Sequence, residues 1–280
     1  MEISLTEPVT PVRPAAPYLG GKRMLATRIC KVIAAIEHDG YAEPFVGMGG
    51  IFLRRAIRPR VEIINDISGD VVTFFRVLQE HYPYFIDMLR FRLASRNEFN
   101  RLTGQDPERL TDLQRAARFL YLQKLAFGGK PSGQNYGVDS RQGARFNVTK
   151  LEPVLADLHD RLAGVTIEQL PFAEFIRRYD RKGMLFYCDP PYFGCEDDYG
   201  KRVFEREDFD RMATLARQSQ GRFLISLNDL PEVRKIFNDL HFLPLDTVYT
   251  IKKTGPAKKV GEVLICNRPF PEGLHESLTA

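Results

Sequence analysis

Tryptophan is absent from the 280 residues, and cysteine occurs four times, as Cys30, Cys188, Cys195 and Cys266. No two cysteines form a CxxC pair, and neither an HExxH segment nor a Cys/His cluster occurs. These absences remove the zinc signatures and any disulfide framework, so no metal is expected and the four thiols are expected reduced. The sequence also lacks an apolar run near the roughly 20 residues that span a bilayer. Its start, Met1 to Pro17, is acidic and proline-rich, with no basic segment ahead of an apolar one. No membrane partner and no secretory signal are expected, and the location is read as cytoplasmic. Two nucleotide signatures are missing as well. GxxxxGK[ST] does not occur, and a dinucleotide GxGxxG would need glycine at position 52, which is Phe52.

What is present is an average globular composition, 44% apolar and 27% charged, with a net charge of +4. The charge is unevenly placed. Between Arg76 and Lys150 stand 13 basic and 7 acidic residues, an excess of six positive charges, so the rest of the chain is slightly acidic. A polyanion-binding module inserted in a neutral core would give this distribution, and so would a solvated helical surface.

Periodicity predicts a helix over Met24–Ile36, a strand over Tyr41–Val46 and a glycine turn at Gly47-Met48-Gly49-Gly50. A helix from Ile51 to Ile57, a strand over Val61–Ile64 and then Asp66 complete the opening of a nucleotide-binding βαβ unit. From about Val71 to Lys150 the pattern is mostly helical, broken by a Gly/Ser/Asn-rich loop or hairpin, Phe127–Gly137. Strands are then expected at Val165–Ile167, Met184–Cys188, Phe223–Leu227, Phe242–Tyr249 and Val260–Cys266. Helices are expected at Phe172–Tyr179, Glu207–Ser219 and Pro231–Leu240. The last two strands have no helix between them, so the sheet should end in an antiparallel hairpin.

The sharpest feature is Asp189-Pro190-Pro191-Tyr192 directly after an apolar strand, where open α/β sheets bind ligands. The lone pair of a ring-conjugated amine is delocalised, and acceptors on its N–H bonds would draw the nitrogen toward a tetrahedral, nucleophilic shape. Asp189 and the Pro190 carbonyl could be those acceptors, the prolines adding no competing N–H. Tyr192 offers a face on which an extruded base can stack. The plain alternative is an ordinary strand-to-loop turn. A second feature, Glu43 to Gly50, places Phe45, Gly47 and Gly49 at the first βα turn, with Asp66 at the next strand end, where an acid binds ribose hydroxyls. A third, Tyr18-Leu19-Gly20-Gly21-Lys22-Arg23, puts a lysine at a Gly-rich helix start, either to hold a carboxylate or simply to cap the helix.

Together, and in this order, these segments resemble the Dam-like DNA adenine methylase family of bacteria and phages. Gly20-Gly21-Lys22, Glu43–Gly50, Asn65-Asp66-Ile67 and Asp189–Tyr192 carry the likeness, joined by Arg145-Phe146-Asn147-Val148, Ile225–Asp229 and Lys259–Leu264. The resemblance implies an α/β class I methyltransferase, a Rossmann-like sheet with a terminal antiparallel hairpin plus a mainly helical recognition insert. It further implies site-specific transfer of a methyl group from S-adenosylmethionine to N6 of adenine in double-stranded DNA, by base flipping and without a metal. Tyr18, Lys22, Asp66 and Asp189 would contact the cofactor, as would Phe45, Gly47 and Gly49 of the glycine turn. Asp189, Pro190, Pro191 and Tyr192 would be catalytic. Residue 18 is tyrosine where the family usually has tryptophan, and the Phe127–Gly137 segment is a variant, so the target site is not carried over.

The catalytic domain is expected over 17–74 and 151–270, a DNA-recognition insert over 75–150, and flexible tails at 1–16 and 271–280. Lys130, Gln134, Asn135, Arg141 and Arg145 of the insert are candidate DNA contacts. So are Lys258 and Lys259 beside the last hairpin turn, together with Lys252 and Lys253, though solvated lysines would suit a turn equally. The protein is expected to act as a monomer or a transient dimer on DNA.

Overall fold

The computed structural model describes residues 6–22, 24–131, 133–137, 141, 143–200, 203–251 and 258–274, without the side chains of 198, 246–251 and 258–260. Strand β1 (Thr6–Pro8) pairs antiparallel with β3 (Ile57–Pro59) as a separate ribbon. The main sheet comprises β2 (Gly40–Glu43), β4 (Val61–Asn65), β5 (Thr166–Glu168), β6 (Met184–Cys188), β7 (Arg222–Asn228), β8 (His241–Ile251) and β9 (Lys258–Cys266). Its order is β5-β4-β2-β6-β7-β9-β8. All neighbours run parallel except across β9, which is antiparallel to both β7 and β8. The expected terminal hairpin is therefore present.

Both faces of this sheet are covered, and the sequence of β6 shows why it reads as an unbroken apolar run. Leu185 and Tyr187 face one buried cluster while Phe186 and Cys188 face the other, the two-residue period of a strand. On the first face lies α1 (Ala26–Ala35), burying Ala26, Ile29, Val32 and Ile33. On the second face α7 (Phe172–Tyr179), α8 (Glu207–Gln218) and α9 (Pro231–Ile236) bury Phe175, Phe209 and Val233.

Between β4 and β5 come α2 (Gly69–Glu80), α3 (Tyr82–Leu89), α4 (Arg96–Thr103), α5 (Asp112–Leu125) and α6 (Val148–Leu162). Thr111 starts α5 with a capping box, accepting from the Gln114 N–H while the Gln114 side chain accepts from the Thr111 N–H. Phe74, Phe85, Phe99 and Leu120 of these helices belong to the same buried cluster as Ile64 and Leu185 of the sheet.

Three expectations need correction. The helix read over Ile51–Ile57 is a single 3-10 turn, Phe52–Arg54, because the chain is drawn straight into β3 by its pairing with β1. The helix read from Met24 begins two residues later, at Ala26, and the Gly-rich segment leads into its first turn, the Lys22 carbonyl accepting from the Leu25 and Ala26 N–H groups at 2.9 and 2.7 Å. Residues 6–16 are not a loose tail. Val12, Ala15 and Ala16 are buried, and the Val12 N–H donates to the Leu53 carbonyl at 2.7 Å. At the other end Leu274 is buried too.

This topology positions the site. The chain leaves β2 toward β4 and β5, then returns to β6 on the opposite side of β2. The order thus reverses between β2 and β6, and ligands of open α/β sheets bind beyond the carboxyl ends of strands at such a reversal. The segments after β2, β4 and β6 are the glycine turn, Asp66 and Asp189.

Candidate active site

A cleft of about 1110 Å³ opens at this reversal, lined by Tyr18, Phe45, Gly47, Asp66 and Asp189 among others. Gly47 has φ +50°, and a Cβ there would lie 3.0 Å from the Tyr18 ring. Only glycine gives both the left-handed backbone and the room for that ring. The Gly47 N–H donates to Asp66 Oδ2 and the Ser68 N–H to Oδ1, both at 2.9 Å, which ties the turn to the end of β4. The Ile67 N–H acts on the same carboxylate, and its two oxygens still keep capacity for a further donor. Burial pushes the Asp66 carboxyl up to about 6, with the Ser68 and Gly47 N–H groups pulling it back. Phe45 sits in an aromatic wall with Phe172 and Phe204, centroids 5.5 and 5.9 Å away, and all three line the cleft. Gly49, at φ +75°, faces Leu53 instead: a Cβ there would meet that side chain at 2.7 Å, so its place is in the turn's packing.

Beside this wall, five side chains from four segments interlock. Lys22 is 2% exposed, and its ammonium lies 3.0 Å from Asp189 Oδ1, 2.8 Å from Glu262 Oε1 and 2.8 Å from the Tyr192 hydroxyl. Its three N–H donors thus have three acceptors. Tyr192 donates in turn to Glu262 Oε2, and Ser226 donates to Glu262 Oε1. The Lys22 nitrogen also stands 4.1 Å from the Tyr192 ring centroid. Glu262 is 1% exposed and comes from β9, where it pairs across the ladder with Asn228 of β7. Two residues along from Ser226, Asn228 accepts from the Phe193 N–H and donates to its carbonyl, both at 3.0 Å, holding the chain just after Tyr192.

The electrostatics follow from burial. Asp189 is pushed up to about 6 by desolvation, with Lys22 pulling down and Glu262 pushing up. Burial pulls Lys22 down, but Asp189 and Glu262 outweigh it and hold the ammonium above its ordinary value. Pro190 and Pro191 are buried, Pro191 lines the cleft, and the Pro190 carbonyl accepts no hydrogen bond among the described residues.

Sequence reading missed Glu262, Ser226 and the Phe172–Phe204 half of the aromatic wall as site residues. The signal for Glu262 was legible: an acid inside an otherwise apolar strand needs a buried partner. Nothing in the spacing pointed to Phe204.

Glu43, at the end of β2, is 2% exposed and accepts a 2.8 Å hydrogen bond from the Tyr41 hydroxyl. Burial pushes it up to about 8, against the pull of Tyr41 and Arg55, so it keeps its proton at neutral pH. A carboxyl whose folded value is raised contributes stability that is full below its unfolded value, near 4.5, and lost as pH rises to about 8. Glu43→Gln removes this loss. The variant is expected to gain on the wild type by roughly 1.4 kcal/mol per pH unit across that window, read by urea denaturation at pH 5 and 7.5. An identical difference at both pH values would mean that Glu43 ionises normally in the fold.

The expected DNA contacts are dispersed. Lys130, Asn135 and Arg141 are exposed. Gln134 donates to Gln123 Oε1 at 3.2 Å and to the Lys130 carbonyl at 2.9 Å. Arg145 donates to the carbonyls of Gly137, Ala126 and Leu125 at 2.6, 3.3 and 3.4 Å, tying the loop's ends together while lining the cleft. The side chains of Lys258 and Lys259, and residues Lys252 and Lys253 altogether, lie outside the described residues.

The mostly parallel sheet with helices on both faces is consistent with a methyltransferase. The model of the D12 class N6 adenine-specific DNA methyltransferase family matches residues 18–251, and the chain belongs to that family. It is 27% identical over 261 residues to the DNA N-6-adenine-methyltransferase of Escherichia phage P1, covering 82% of this chain but 33% of that one. The chain thus spans about a third of the phage protein's length. Two full-length relatives are the DNA adenine methylase of Haemophilus influenzae, 23% identical over 273 residues, and that of Vibrio cholerae, 24% over 271. Those alignments cover 89% and 90% of this chain, and 90% and 95% of the respective relatives. No group of three or more acid, histidine or cysteine side chains among the described residues could hold a metal. No described helix is long and apolar enough to cross a membrane.

Proposed function

We propose that this protein transfers the methyl group of S-adenosylmethionine to N6 of an adenine flipped out of duplex DNA. The observation that carries the reading is Asp189 lining the cleft, with the unengaged Pro190 carbonyl next to it in the chain, beside the family's adenine specificity. The cleft fits the cofactor: Gly47 leaves room for the Tyr18 ring to line it, Asp66 retains acceptor capacity for ribose hydroxyls, and Phe45 with Phe172 and Phe204 offers an apolar face to a purine. Its volume exceeds the usual range for one small ligand, leaving space for a base as well. When bound, S-adenosylmethionine supplies an electrophilic methyl group on a sulfonium.

Asp189 and the Pro190 carbonyl accept the two N6 hydrogens and so localise the nitrogen lone pair. Tyr192 stacks on the extruded base. Lys22 keeps Asp189 ionised and fixes Tyr192; its N–H donors are all occupied, so we assign it this organising role rather than a direct hold on the cofactor carboxylate. After transfer the surplus N6 proton leaves to solvent.

We assign catalysis to 17–74 and 151–270 and target recognition to 75–150, with Lys130, Asn135 and Arg141 as exposed candidates for base or phosphate contact. Lys258 and Lys259 remain candidates for phosphate contact on sequence grounds. Incubation with duplex DNA and the cofactor, followed by nucleoside mass spectrometry and mapping of methylated positions, tests both parts. N6-methyladenine is expected, with Arg141→Ala relaxing preference at one base position. N4-methylcytosine alone would overturn the adenine assignment, and an unchanged site profile would remove Arg141 from recognition.

A further inference from the structure

The positive excess of residues 76–150 is not spread evenly over its surface. Along the helices, guanidinium groups face acids: Arg76 meets Asp112 at 2.7 Å, Arg101 meets Glu98 at 2.7 Å and Arg115 meets Asp70 at 2.6 Å. Among the described residues Lys124, Arg145 and Lys150 form no ion pair, and all three line the cleft. A fourth such cation reaches the cleft from outside the insert. Arg13 is exposed, lines the same cleft and likewise has no acid partner among the described residues.

The segment bearing Arg13 is held in place. Val9 donates to the Ala56 carbonyl at 2.9 Å and Val12 to that of Leu53 at 2.7 Å, continuing the β1–β3 ribbon. From the other side Lys124 donates to the Ala15 carbonyl at 2.9 Å and Gln123 to that of Pro17 at 2.8 Å. Burial pulls the Lys124 ammonium below its ordinary value, and the charges of Arg13 and Arg145 push it the same way, with no acid opposing them. Cations held together in this manner create a local potential that favours an anion.

We propose that residues 9–17 form part of the DNA-binding surface, with Arg13, Lys124, Arg145 and Lys150 seating backbone phosphate of the duplex at the mouth of the cleft. This rests on the methyltransferase reading above. Arg13 precedes residue 18, where the family match begins, so the contact lies outside the matched span. A cofactor carboxylate carries one charge and would leave most of the four cations uncompensated. Duplex DNA presents one charge per roughly 1.7 Å of its axis, and Arg13 and Lys150 stand exposed where a polymer can reach them.

The test compares wild type, Arg13→Ala and Arg13→Lys for duplex binding between 50 and 200 mM salt, together with KM for S-adenosylmethionine. Arg13→Ala should lower the slope of log affinity against log salt by about 0.9, so that its deficit shrinks about 3.5-fold across that range. The deficit should be alike on all sequences, KM for the cofactor should hold, and Arg13→Lys should restore the slope. A raised cofactor KM with an unchanged slope would assign the cations to the cofactor carboxylate and overturn the proposal. Equal slopes and equal KM would also overturn it, leaving Arg13 a solvated side chain. Failure of the methyltransferase reading shows separately, as a wild type that makes no N6-methyladenine; a wild type that binds no duplex overturns both.

Discussion

Asp189→Ala should slow single-turnover methylation by at least roughly 10- to 100-fold while leaving duplex affinity close to wild type. A hydrogen bond to a charged group contributes about 1.5–3 kcal/mol, which sets that lower bound on the rate. Lost alignment adds to it, because the amine keeps only the Pro190 carbonyl as an acceptor. The same carboxylate gives the wild type its pH dependence. Its ionised form is the acceptor, and burial sets its value at about 6, so the rate should fall near tenfold per unit as pH drops below that point. Quenched-flow turnover of a bound duplex, with anisotropy for binding, separates the two steps. Near-normal rates in Asp189→Ala would remove the carboxylate from the proposed chemistry.

Much of this site could be read before the fold was known, because its parts depend on local chemistry. The strand Met184–Cys188 and the helix Phe172–Tyr179 fall where periodicity puts them, and the five strands after residue 164 lie within a few residues of their expected bounds. Asp189 is legible as an acid at the end of an apolar strand, and Gly47 as a glycine at a turn. What could not be read is convergence. Glu262 meets Lys22 across 240 residues, and only the reversal of β9 beside β7 brings them together. The same limit explains why Lys22 read as a lysine that holds a ligand carboxylate or caps a helix. Alone in sequence it has no partner, and in the fold it has three.

The error at residues 6–16 has a different cause. Proline-rich composition disfavours helix, and none forms among the described residues there. It carries no information on whether an extended chain finds backbone partners. Here Leu53 and Ala56 supply carbonyls, and the insert supplies Gln123 and Lys124, so the segment from Thr6 onward is fixed by groups distant in sequence. Ile51–Ile57 fails for a related reason: its residues suit a helix, but pairing with β1 draws the chain into a strand.

Lys22→Met is expected to be the most damaging single change to stability, and its pH dependence should reveal why. Removing one partner of a buried ion pair costs roughly 3–5 kcal/mol, because the remaining charge is left without compensation. Here two carboxylates remain, Asp189 and Glu262, at side-chain exposures of 19% and 0%. Lys22 now holds the Asp189 carboxyl down against burial and the Glu262 charge, so its loss must carry that carboxyl above about 6. A carboxyl raised in the folded state gives stability that is full below its unfolded value and lost as pH rises through the folded one. The deficit of Lys22→Met should therefore be largest at pH 8 and markedly smaller at pH 5, where one carboxyl takes a proton. Adding Glu262→Gln to Lys22→Met should recover part of the loss at pH 8, since a neutral amide replaces one of the two charges. Urea titrations of the three proteins at both pH values provide the comparison. If Lys22 matters only for its packing against Tyr192, the deficit will be the same at both pH values and the second substitution will restore nothing.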